Sequence, residues 1–170
     1  MKAVFVIPQD NFRDEELFET KRVLESNGVK CFIASKTKGI CVGMLGGKIT
    51  SDLTLDEVGK DFEGIIFVGG GGAVEYFNDA KALGLARKYF DMGCVVAAIC
   101  IAPSILANAG ILRGVRVSAF SSEKKNLKSK AAVISDKSVE VHGLIVTASG
   151  PAHAKEFGEK ISELLFRAKK

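Results

Sequence analysis

Val95-Val96-Ala97-Ala98-Ile99-Cys100-Ile101-Ala102-Pro103-Ser104 changes from one kind of secondary structure to another with no loop between them. The run Cys94 to Ile99 is uncharged and does not alternate, the pattern of a parallel strand buried on both faces. Pro103 suits the first turn of a helix, where its missing N–H costs nothing. Ser104 to Ala109 carry that helix on to Gly110. Cys100 therefore stands at a strand-to-helix elbow, a turn that exposes a nucleophile and forces strained backbone angles. Ala98 and Ala102 are small enough to permit it. A helix starting near Ala102 aims its amides at the sulfur, which is expected to lower the thiol toward thiolate. The Ile101 amide faces the same space as an oxyanion donor. A cysteine here can also be a small buried hydrophobe; the strand-end position decides for a reactive thiol, with Cys31, Cys41 and Cys94 as structural residues.

The same alternation runs outward in both directions. Val4 to Ile7 is another buried apolar run. Asp14, Glu15 and Glu16 open a helix where its dipole favours acids. Leu17, Phe18 and Leu24 form its apolar side, and Gly28 stops it. Val29 to Ala34 is a strand, and Gly39 to Ser51 a hairpin around Gly46-Gly47. Gly64 to Val68 is a buried strand running into Gly69-Gly70-Gly71-Gly72. Asp79 to Met92 is helical, with Leu83, Ala86 and Phe90 at helix spacing. Val115 to Ala119 and Leu144 to Ala148 are strands, with a hairpin-like region, Ala132 to Val141, between them. The last helix starts near Pro151 and sets Phe157, Ile161, Leu164 and Leu165 on one face. With no linker, repeat or low-complexity segment, residues 1–170 are expected to form a single α/β domain. Its fold class is a flavodoxin-like three-layer α/β/α sandwich with a mainly parallel sheet and a small β-hairpin.

Composition narrows the function. The 170 residues are 47% hydrophobic and 26% charged, a globular balance, with a net charge of +4. The one basic cluster, Lys124, Lys125, Lys128 and Lys130, reads as a solvated loop, so no nucleic-acid partner is expected. No apolar stretch approaches the roughly 18 residues of a membrane span. The run Ala3 to Pro8 is too short for a signal peptide, which points to a soluble, cytoplasmic chain without membrane partners. The four cysteines lack CxxC spacing and read as thiols, and no Asp/Glu/His cluster has metal-ligand spacing. Neither a metal nor a cofactor is expected.

In open α/β sheets ligands bind beyond the carboxyl ends of the strands. Three such ends, Pro8 to Glu16, Gly69 to Gly72 and Cys100 to Ser104, should share one edge. The four glycines have no Lys-Ser or Lys-Thr after them and are not a phosphate loop. They allow close backbone approach beside Cys100, with Gly70 or Gly71 offering an amide; a flexible turn is equally open for Gly71 and Gly72.

Several segments together resemble the ThiJ/PfpI family, which includes intracellular proteases and the protein deglycase linked to parkinsonism. They are Asp14-Glu15-Glu16-Leu17, Ile66-Phe67-Val68-Gly69-Gly70 and Val96 through Pro103, with Leu112-Arg113-Gly114 and Thr147-Ala148-Ser149-Gly150-Pro151. The resemblance spans essentially the whole chain. It implies that Cys100 is the nucleophile and Glu16 the acid that hydrogen-bonds it, protonated because adjacent anions repel. It also implies that Gly70 and Ile101 supply oxyanion-side amides, and that Gly150 and Pro151 close the pocket, which Gly71 and Phe120 help to line. The chain departs from the pattern in five places. Ile101 stands where the protease branch has histidine, Arg13 where relatives often carry a second acid, and Phe120 where they have Tyr or His. Val68 and Ala102 replace a proline and a glycine. His153, in the first turn of the last helix, is a candidate base at the pocket edge; a solvent-exposed helix residue is the alternative. His142 reads as a surface residue at a hairpin end.

The resemblance implies a cysteine-dependent enzyme of the glyoxalase or deglycase type, acting on small reactive carbonyls or glycated groups of proteins. The alternatives are a non-enzymatic redox-sensing, stress-protective protein and a PfpI-like peptidase lacking the usual histidine. A homodimer or higher homo-oligomer is implied as well.

Overall fold

In the computed structural model, which describes residues 1–168, the strand β1 (Lys2–Val6) is buried from Ala3 onward on both faces. β2 (Asp10–Phe12) leaves that sheet, and α1 (Asp14–Ser26) follows with Leu17 and Leu24 buried, as its apolar spacing predicts. Then come β3 (Lys30–Ser35), β4 (Gly39–Gly43), β5 (Lys48–Ser51), β6 (Leu53–Thr54) and β7 (Gly64–Phe67). β4 and β5 form the antiparallel hairpin expected around Gly46-Gly47, with Gly46 at φ 89° in its turn. After α2 (Ala80–Asp91), β8 (Val95–Ile99) passes through Cys100 into α3 (Pro103–Asn108). The chain ends with β9 (Arg116–Val117), α4 (Lys124–Ser129), β10 (Val133–Ile134), β11 (Val139–His142), β12 (Ile145–Ala148) and α5 (Ala154–Arg167).

Seven strands form the central sheet in the order β11-β12-β8-β7-β1-β3-β6. All neighbours are parallel except β11 and β12. Alternate residues point to opposite faces, and the strands split accordingly. Val4, Val6, Ile65, Phe67, Val96 and Ala98 pack beneath α2 and α3. Ala3, Phe5, Ile66, Val95, Ala97 and Ile99 pack beneath α1 and α5, which lie side by side. Both layers are apolar, which explains why the central strands read as continuous runs. The architecture is thus a mainly parallel sheet with flanking helices. Strand order reverses at β1: the chain goes to β3 on one side, then crosses to β7 and β8 on the other. The ends of β1, β7 and β8 meet at this switch, where a ligand crevice is expected.

Three expectations need correction. The buried face of α2 is Ala82, Leu85, Ala86 and Tyr89, while Phe90 is 40% exposed. The Tyr89 hydroxyl donates to the Gly59 carbonyl, which satisfies it in the core. Ala132 to Val141 is not a hairpin: β10 pairs in parallel with β9, and β11 turns back onto β12 through Gly143. The expected strand Val115 to Ala119 shrinks to β9, in that small two-stranded sheet. The α5 face, by contrast, buries Phe157, Ile161, Leu164 and Leu165 as read.

Candidate functional site

Cys100 adopts φ +65°. For a side chain with a Cβ this conformation costs of order 1–2 kcal/mol, so the surroundings must hold it. The Cys100 amide donates to the Ala148 carbonyl at 2.9 Å, and its carbonyl accepts from the Phe120 amide at 2.8 Å. Both backbone groups are thereby tied to separate segments, and Pro103 opens α3 three residues on. The strained elbow read from the sequence is present.

The glycine run closes over the sulfur. A Cβ on Gly69 would lie 2.7 Å from the Cys100 Cβ and 2.8 Å from Glu16 Oε2. Gly70, at φ +97°, presses against the backbone of Asn11 to Arg13. The Gly70 and Ile101 amides both act on the Cys100 sulfur in the sense that favours its charged form. Gly71 does not join them; its amide donates to Met44 Sδ at 3.4 Å. Gly71 and Gly72 form no flexible turn but begin a 3-10 turn over Gly71–Tyr76. A Cβ on Gly72 would overlap the Asp10 carbonyl oxygen, a backbone atom that cannot swing aside. Gly72→Ala should therefore destabilise the protein by roughly 3 kcal/mol, read as a lower urea midpoint. Gly71→Ala, with open space at its Cβ, is the control expected to change little.

Met44 is placed by a clamp. The Asp14 carboxylate at the start of α1 accepts from the Leu45 amide at 2.8 Å and the Gly47 amide at 2.7 Å. Gly43 and Gly47 lie so close to that carboxylate that a Cβ on either would overlap it. The hairpin tip is thus pinned to the helix that carries Glu16.

Glu16 is fully buried, and neither carboxyl oxygen has a hydrogen bond of full geometry. The Cys100 thiol and the Gly69 amide are the hydrogen-bonding groups that act on it. Burial pushes the carboxyl up to about 8, outweighing the opposing pull of Cys100, Arg13 and Gly69. At neutral pH Glu16 therefore keeps its proton. Cys100 is also pushed up, to about 12, first by burial and then by Glu16. The Gly70 and Ile101 amides pull the other way without prevailing. This corrects the expected thiolate. The cause is enclosure: a sulfur shut in beside a carboxyl group is costly to charge.

The other expected residues are spread around this pair. Phe120 holds the Cys100 carbonyl through its backbone, while its side chain is 47% exposed. Gly150 and Pro151 follow β12, whose last residue holds the Cys100 amide. His153 ends a short 3-10 turn before α5 and is half-buried. His142 has a structural partner: its Nδ1 accepts from the Arg116 amide at 3.2 Å. Among the described residues no three His, Cys, Asp or Glu side chains group as metal ligands, and no helix is long and apolar enough to cross a membrane. Sequence reading passed over two residues held against the glycine run, Met44 and Arg13. Arg13 registered only as a departure; its place directly before the acids of α1 was the available signal.

Fold and site together define a flavodoxin-like α/β protein that presents a cysteine on a strained elbow against a buried glutamic acid. The chain belongs to the DJ-1/PfpI family, whose pattern it matches over residues 1–164. It is 42% identical over 164 residues to the uncharacterised protein MJ0967 of Methanocaldococcus jannaschii, covering 94% of this chain and 80% of that one. It is 31% identical over 166 residues to Deglycase PfpI of Pyrococcus furiosus, covering 97% and 99%. The crystal structure of a ThiJ/PfpI domain protein from Brachyspira murdochii superposes with a TM-score of 0.96 at 35% identity, covering 98% and 96%.

Proposed function

We propose that the protein is a cysteine-dependent enzyme of the glyoxalase or deglycase type, in which Cys100 attacks a small reactive carbonyl and Glu16 moves the proton. The observation that carries this reading is the Glu16 carboxyl, fully buried, without a hydrogen bond of full geometry and set against the thiol. A protonated carboxyl offers a donor on one oxygen and an acceptor on the other. As sulfur bonds to the aldehyde carbon, one oxygen takes the thiol proton and the other gives its proton to the carbonyl oxygen. The product is a hemithioacetal, and no free thiolate is required. The Gly70 and Ile101 amides, which act on the sulfur, stand beside the oxygen that develops charge. With a 2-oxoaldehyde, transfer of hydrogen from the first carbon to the second gives a thioester of a 2-hydroxy acid, and water releases the acid and regenerates the thiol. The relative named as a deglycase supports the same class of chemistry. Ile101 follows Cys100 where the protease branch has histidine, so peptide hydrolysis is disfavoured.

The test is conversion of methylglyoxal to lactate, with release of methylglyoxal-modified amines assayed in parallel. Turnover is expected in at least one assay, together with a trapped adduct on the peptide containing Cys100. The absence of both turnover and adduct, with the protein folded, would overturn the reading.

A further inference from the structure

Arg13 is anchored beside the Cys100 elbow by its backbone: its amide donates to the Gly69 carbonyl at 3.0 Å, one residue before Gly70, whose amide acts on the sulfur. It directly precedes α1 and stands one turn before Glu16. Its guanidinium grips Glu15 through Nε at 2.7 Å and Nη2 at 3.2 Å. Among the described residues this takes two of its five N–H groups and leaves three. The side chain is 32% exposed, open to a ligand yet held in one orientation by the fork to Glu15, so little freedom is lost on binding. Cys100 and Glu16 both lie within its electrostatic reach. Neither oxygen of the buried Glu16 carboxyl has a hydrogen bond of full geometry.

We propose that Arg13 receives a carboxylate on the carbonyl substrate, so that 2-oxoaldehydes bearing a carboxylate are preferred over uncharged ones. The proposal rests on the reading of Cys100 and Glu16 as a reactive pair, and adds the substrate class. A planar guanidinium edge matches a carboxylate in two hydrogen bonds. Holding the far end of the substrate fixes the aldehyde carbon over sulfur. The chemistry stays balanced. The thiol adds across the aldehyde C=O, hydrogen moves from the first carbon to the second, and one water hydrolyses the thioester. A 2-hydroxy acid leaves with the recognition carboxylate intact, and no outside oxidant or reductant enters.

The experiment compares kcat/KM for 4,5-dioxopentanoate and methylglyoxal in wild type, Arg13→Gln and Arg13→Lys. Beside it, rates of Cys100 alkylation by iodoacetate and iodoacetamide are compared in the same proteins. Wild type is expected to prefer the charged aldehyde by about tenfold or more. Arg13→Gln should lower both charged-to-neutral ratios by about tenfold, and Arg13→Lys should keep part of each. Ratios unchanged in Arg13→Gln would overturn the proposal. If neither aldehyde is consumed, the enzymatic reading fails by itself. The alkylation ratio then still decides Arg13: a fall upholds it as the anion-receiving group, and no change overturns it.

Discussion

Cys100→Ala and Cys100→Gly are each expected to lower methylglyoxal turnover by at least roughly 10⁴-fold, because removing a covalent nucleophile leaves only binding and the surrounding dipoles. Their stabilities should separate in an unusual order. Glycine in place of alanine ordinarily destabilises, through the extra freedom of the unfolded chain. At φ +65° the alanine variant keeps the Cβ strain and the glycine variant sheds it. Cys100→Gly should therefore be more stable than Cys100→Ala by about 1 kcal/mol, measured by urea unfolding. The ordinary order, alanine above glycine, would show that the elbow carries no strain. Turnover retained in either variant would remove the sulfur from the mechanism.

The second large effect is on stability against pH. Glu16 holds its proton in the folded protein up to about pH 8, whereas in the unfolded chain it ionises near 4.3. Between those values the native state binds the extra proton, so raising the pH favours unfolding. Its contribution is fully present below about pH 4 and lost by about pH 8, amounting to several kcal/mol. Glu16→Gln stays neutral throughout. Its urea midpoint, relative to wild type, should rise steadily from pH 4.5 to pH 8 and then level off. Parallel curves for the two proteins would mean that Glu16 is ionised when folded, and the proton relay would go with it.

The strands were legible where burial on both faces removed any ambiguity. Val4 to Ile7, Gly64 to Val68 and Cys94 to Ile99 have no polar face to display, and each lies at the centre of the sheet. α2 was harder. Ala82, Leu83, Leu85, Ala86, Tyr89 and Phe90 put apolar residues on two sides of one helix. The contact that settles its rotation, Tyr89 to Gly59, is remote in sequence. Pairing between Arg116–Val117 and Val133–Ile134 left no alternating pattern to find, since each strand is only two residues long. At the site, residue spacing located the elbow and the acid. It could not show how far the sulfur is enclosed, and so placed the thiol on the wrong side of its ordinary value. Arg13 was visible as a residue type but not as a fork, because that depends on where Glu15 points.

The two hydrogen bonds that hold Cys100 in its turn have a consequence for biosynthesis. Ala148 lies 48 residues beyond Cys100 in the chain, and Phe120 lies 20 beyond it. Synthesis proceeds from the N-terminus, so a nascent chain that has just displayed its cysteine has neither carbonyl nor amide to bend it. Until β12 emerges and docks against β8, the residue has no reason to leave ordinary backbone angles or to meet Glu16. Polypeptides that stop short of β12 therefore carry an ordinary cysteine, and its special setting exists only in molecules translated past that strand.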